Sequence, residues 1–194
     1  MYPKARLDAL SDAIFGVAMT LLVLDVRLPD AFQPHDAPEL LRGLLHLMPK
    51  FLPYMLSFVV LGLRWLSNIH LRSQEESCSR EYAEWWLGYH LLITCVPLTT
   101  IVVGRFAEFA PAIWLYAGNT TLISAVSFRV LALTPSFERR DHLRERQISL
   151  GMLIASSVLA IGWSFVSPPQ ALWLLALNYA SPMINRWVGG AKHR

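Results

Sequence analysis

The chain has 194 residues, of which 54% are hydrophobic and only 16% charged, and its net charge is +3. A soluble domain carries about 25% charged residues, so this composition excludes an ordinary water-soluble fold, as does the mean hydropathy of +0.39. Two cysteines, Cys78 and Cys95, are too few for a disulfide framework.

Residues 6–28 read as one helix of 23 residues. At roughly 1.5 Å per residue it spans about 34 Å, enough for a hydrocarbon core about 30 Å thick. Twelve uncharged residues, 13–24, lie between Asp12 and Asp25, but Arg6, Asp8, Asp12, Asp25 and Arg27 are too many charges for a helix bathed in lipid. A helix long enough to span and too polar for lipid is expected to line a pore. No cleavable signal peptide is expected, because acidic residues precede the apolar run and no small-residue cleavage site follows it.

A second helix is predicted over 46–68, with Lys50 and Arg64 near its ends, where long side chains can snorkel. Residues 85–104 and 109–128 are uncharged runs of 20 residues each, matching the roughly 20 apolar residues of a spanning helix. They predict helices at 85–104 and 111–133. The uncharged stretch 147–185 is broken by Ser167-Pro168-Pro169-Gln170 and yields two more, 147–166 and 171–187. The chain therefore reads as an all-α integral membrane protein. It has a single domain, 1–194, of six transmembrane helices with helix one lining a central pore.

With six helices both termini share a side, and that side collects 13 of the 17 Lys and Arg residues against 4 opposite. The positive-inside rule then places both termini in the cytoplasm and the protein in the plasma membrane. The positive charge is accounted for by topology and calls for no nucleic acid. The cluster Arg139, Arg140, Arg144 and Arg146 reads as a topology determinant, with an anionic-lipid contact as the alternative.

No His-Glu-x-x-His, Gly-x-Ser-x-Gly or phosphate-binding glycine loop is present. The six histidines do not cluster, so no enzyme activity, resident metal or cofactor is expected. His70 and His90 read as hydrogen-bonded interior residues more readily than as proton relays. At about 100° per residue, Arg6, Leu10, Ala13, Val17, Thr20, Leu24 and Leu28 fall along one stripe of helix one. Ser11, Asp12, Phe15, Met19, Leu22 and Val26 point away from it. A buried helix whose Thr20 bonds back to its own backbone would satisfy the same pattern.

The first helix resembles that of the transmembrane protein 175 family of potassium channels, bacterial members included. The resemblance lies in Arg6, Ser11 and Asp12, followed by Ala13, Ala18, Thr20, Leu22 and Leu24, with Leu10 where the family motif Arg-x-x-x-Phe-Ser-Asp has Phe. Weaker resemblances lie in Trp65, with Asn68 in place of a histidine and His70 nearby, in Pro97-Leu98-Thr99-Thr100, and in Tyr116-Ala117-Gly118-Asn119. The resemblance implies a homotetramer in which four copies of helix one surround the path of potassium ions. It aligns the pore constrictions with Val17, Thr20 and Leu24, Val17 being smaller than the Ile or Leu usual there. It assigns Arg6, Ser11 and Asp12 to a structural hydrogen-bond network. It also implies a filter without a carbonyl cage, in keeping with the lack of a Thr-Val-Gly-Tyr-Gly loop.

Rings of Val17 and Leu24 can gate by closure and dewetting, and Thr20 hydroxyls offer weak ligands to a partly dehydrated cation. Such a site passes potassium over sodium without stringency. Asp25 either concentrates cations at the outer mouth or pairs with Arg27 or Arg105. The leading expectation is a potassium-permeable, modestly selective cation channel. A proton-permeable or proton-coupled cation transporter is the alternative, disfavoured by a largely uncharged midplane and the lack of an internal repeat. A non-transporting scaffold is the third.

Overall fold

The computed structural model describes residues 1–70, 76–134, 140–168, 170, 171 and 174. The sixth expected helix, 171–187, lies almost wholly outside them. The described chain is mostly helical: α1 (Lys4–Leu21), α2 (Ala37–Leu45), α3 (Met48–His70), α4 (Arg80–Thr94), α5 (Val96–Arg105), α6 (Ala110–Ala132) and α7 (Arg140–Trp163). Two short strands, β1 (Tyr2–Pro3) and β2 (Ser77–Cys78), pair antiparallel, Tyr2 opposite Cys78. Together with a bond from Lys4 N–H to the Glu76 carbonyl at 3.0 Å, they tie the start of α1 to the segment before α4.

α1 ends earlier than expected. Beyond Leu21 the chain tightens into a 3₁₀ turn, Leu22–Asp25, closed by Val26 N–H on the Val23 carbonyl at 2.9 Å. Pro29 disfavours the α conformation at Leu28, so the helical pattern at 22–28 has no continuation to support it. The following segment, expected as a polar loop, contains α2. Asp36 caps it by accepting from Glu39 N–H at 2.7 Å, while Glu39 accepts from His35 N–H at 2.7 Å, a reciprocal arrangement that satisfies two free donors. Pro38 lies in its first turn, where a missing N–H costs nothing.

α3 matches its expected bounds within two residues, an ordinary boundary difference. The expected helix 85–104 is instead two, α4 and α5, separated at Cys95. Pro97 has no N–H for the Ile93 carbonyl and its ring crowds that turn, which breaks the ladder. α6 lies within a residue of its expected span, and α7 begins seven residues before its expected start.

α1 packs on α3, α4 and α5, and α6 packs on α4, α5 and α7. Phe15, Ala18 and Leu22 of α1 enter a core with Leu61, Tyr89, Ile93, Val96 and Ile123. A second cluster joins Val103, Ile113, Ala117, Ala160 and Ala171. Among the described residues two spans are long and apolar enough to cross a membrane, Lys4–Asp25 and Arg80–Arg105. α3 and α6 have 23 residues each but carry polar side chains that turn inward. Ser57, Asn119, Ser124 and Ser127 are all buried.

Candidate functional site

α1 divides into two faces. Ser11, Phe15, Ala18 and Leu22 are buried, Phe15 and Leu22 at 1% exposure each. Ala13, Thr20, Val17 and Leu24 are exposed, Val17 at 57% and Leu24 at 62%. The stripe that helical periodicity groups together is thus the face that the described residues leave exposed. Leu24 projects from the 3₁₀ turn rather than from the α-helix proper. The Thr20 hydroxyl donates to the Val17 carbonyl at 2.9 Å. This back-bond occupies the hydroxyl proton.

The inward face carries polar anchors at the N-terminal end. Ser11 Oγ lies 2.7 Å from His90 Nε2, and His90 Nδ1 lies 2.8 Å from the Trp86 carbonyl. Both ring nitrogens of a fully buried imidazole are therefore partnered, as burial demands. The ring is also wedged against Trp86, with centroids 3.7 Å apart, and edge-on to Phe15 and Tyr89. Trp65 Nε1 donates to Asp12 Oδ1 at 2.9 Å, linking α3 to α1. A cavity of about 50 Å³ lies behind these groups, with Lys4, Asp8, Asn68 and Ser127 also on its wall. Arg6 is exposed at the same end, and among the described residues it joins neither Ser11 nor Asp12.

A second polar cluster brings two of the weaker resemblances, at Thr100 and Tyr116, together through Ser57. The Thr100 hydroxyl lies 2.8 Å from both Ser57 Oγ and the Val96 carbonyl, and Ser57 Oγ lies 3.5 Å from Tyr116 OH. Asn119 donates to the Leu92 carbonyl at 3.3 Å, beside the α4–α5 break where carbonyls lose their helical partners. Asn68 donates to Tyr89 OH at 3.5 Å. The pairing of Ser57 with Thr100 was not foreseen from the sequence. Its signal was Ser57 within the uncharged run 51–63 of α3.

At the far end of α1, Asp25 pairs with Arg105 of α5, whose Nε donates to Oδ1 at 2.7 Å. Arg27 pairs with Asp30 instead, at 3.5 Å. Of the two partners left open for Asp25, the structure selects Arg105. Among the described residues no group of His, Cys, Asp and Glu is arranged to hold a metal.

The sequence profile described as endosomal/lysosomal potassium channel TMEM175 matches residues 6–97. A potassium channel of Streptomyces collinus is 27% identical over 197 residues, covering 92% of each chain. The human endosomal/lysosomal proton channel TMEM175 is 25% identical and aligns with 98% of this chain but only 32% of its own length. The crystal structure of a potassium-selective TMEM175 homolog from Chamaesiphon minutus superposes with a TM-score of 0.76 at 22% identity, covering 92% of this chain and 96% of that one. By its first-helix signature, its profile match over residues 6–97 and its fold, the chain is similar to the TMEM175 proteins, which are ion channels and not enzymes.

Proposed function

We propose that this chain is the subunit of a potassium-permeable, modestly selective cation channel, a homotetramer with four copies of α1 around the ion path. It crosses the cell membrane with six helices and keeps both termini in the cytoplasm. The observation that carries the proposal is the asymmetry of α1. One face is locked into the protomer core through Phe15, Ala18 and Leu22, while Val17, Thr20 and Leu24 on the other face are left exposed by the described residues. A helix with charged residues at both ends is poorly suited to present that face to lipid. Four such faces around an axis enclose a narrow path with rings of Val17 and Leu24 as apolar constrictions and a ring of Thr20 hydroxyls between them. The Ser11–His90 and Asp12–Trp65 bonds then act as fixtures that hold α1 in position from behind. The name of the Streptomyces collinus relative, a potassium channel, supports potassium as the permeant ion.

Purified protein reconstituted into liposomes is expected to pass potassium faster than sodium. Equal leak with empty vesicles would remove the channel reading. Proton permeation is the second reading, favoured by the human relative's name as a proton channel. A pH-sensitive dye in the same vesicles measures it directly.

A further inference from the structure

We infer that Arg105 is a positioning residue for the far end of the ion path: it fixes the turn that carries Leu24 and cancels the charge of Asp25. The inference rests on the channel reading above and adds a residue that neither the motif nor the wheel contains. Leu22 is buried in the core and Leu24, two residues on, is the exposed side chain beside the path. The backbone between them is a single 3₁₀ turn, held by Val26 N–H on the Val23 carbonyl at 2.9 Å and by Arg27 N–H on the Asp25 carbonyl at 3.0 Å. So short a turn has little stiffness of its own, since 3₁₀ hydrogen bonds are poorly aligned.

The turn packs on α3 and α5, and the side chain of Asp25 at its end is held by Arg105 at the last turn of α5, with Nε and a terminal nitrogen both on Asp25 Oδ1. A cation there also suits the negative end of the α5 dipole. The Asp25 side chain is only 12% exposed and that of Arg105 45%. Both line an open cleft of about 630 Å³ that Leu24 and Ile101 share. The other charges of the turn, Arg27 and Asp30, offset each other. A wall carboxylate raises the local concentration of cations. Here the carboxylate is neutralised, so the mouth is electrically quiet and the ion meets Leu24 without an electrostatic well in front of it.

Single-channel currents in planar bilayers at two salt concentrations test this. Arg105→Gln leaves Asp25 uncompensated and is expected to raise conductance at least about twofold at roughly 10 mM salt, where the Debye length is about 30 Å. Asp25→Asn leaves Arg105 uncompensated and is expected to lower it by a similar factor. Both differences should fade at about 1 M, where the Debye length is about 3 Å. The double variant restores the charge balance and returns low-salt conductance to near wild type, but without the tether the crosslinking between subunits of a cysteine placed at Leu24 should fall at least about twofold. Arg105→Lys keeps the charge and should stay near wild type at low salt. Because the Asp25 side chain is largely buried, losing one partner costs some stability, so assembly of each variant is checked by size-exclusion chromatography and currents are compared among assembled variants.

Shifts of the same sign in the two single variants, or none at low salt, would overturn the electrostatic assignment. So would Arg105→Lys behaving like Arg105→Gln. Unchanged crosslinking of a cysteine at Leu24 in the double variant would overturn the positioning role. A wild type that carries no potassium current would instead overturn the channel reading, and this inference with it.

Discussion

Thr20 and Asp12 illustrate opposite uses of a polar side chain in one helix. Thr20 is exposed, and its hydroxyl proton is already committed to the Val17 carbonyl. What it can offer an ion is oxygen lone pairs. Thr20→Val nearly conserves volume and removes only those. The loss of a ligand worth on the order of 1 kcal/mol corresponds to a roughly fivefold drop in potassium-over-sodium preference, read from bi-ionic reversal potentials, with the fold intact. An unchanged potential would make Thr20 a packing residue. Asp12 faces inward and accepts from Trp65 Nε1 at 2.9 Å. Asp12→Ala strands that donor in a partly buried site, a loss of about 1–3 kcal/mol. It should lower thermal stability or tetramer yield much more than it alters ion preference. A stable tetramer with changed selectivity would move Asp12 from the support network to the ion path.

At the scale of the element, α1 is stiff where it is backed and thin where it ends. Its α-helical part is buttressed by α3, α4 and α5, whereas Leu24 stands on a four-residue 3₁₀ turn. The apolar ring proposed at Leu24 is therefore the narrowing most open to adjustment. Leu24→Ala should widen it and raise conductance for potassium and sodium alike, leaving their ratio nearly unchanged, because an apolar ring discriminates by access and not by ligation. A conductance equal to wild type would place the constriction elsewhere. Beside the α4–α5 break, Asn119 donates to the Leu92 carbonyl, which also accepts from Cys95 N–H, and Thr100 meets Ser57.

For the whole molecule, the described protomer leaves many large apolar side chains uncovered, from Met55 and Leu66 on α3 to Leu91, Leu98 and Leu159 on α4, α5 and α7. Lipid and neighbouring subunits are the natural covers for such a surface. They are distinguishable on α1. Single cysteines at Val17 or Leu24 should crosslink between subunits under mild oxidation, while cysteines at Phe15 or Met19 should not. Crosslinking confined to Phe15 and Met19 would reverse the orientation of α1 in the assembly.

The sequence alone was sufficient for the helical character and, within a few residues, for α3 and α6, because apolar periodicity and charge-free length are local properties. It also separated the Phe15 and Leu22 face of α1 from the Val17 and Leu24 face, since that division follows from helix geometry. The family resemblance in residues 6–24 was equally a property of the string. The tertiary structure decided what depends on distant partners. Asp25 had two arginines to choose from, and the approach of α5 placed Arg105 against it. Ser11 and His90 are 79 positions apart, and Asp12 and Trp65 are 53 apart. No window of sequence reports that their polar groups satisfy one another. The end of α1 and the break at Cys95 stand between these cases. Pro29 and Pro97 are visible in the string, but the partners met at these ends, Arg105 on Asp25 and Asn119 on the Leu92 carbonyl, are not.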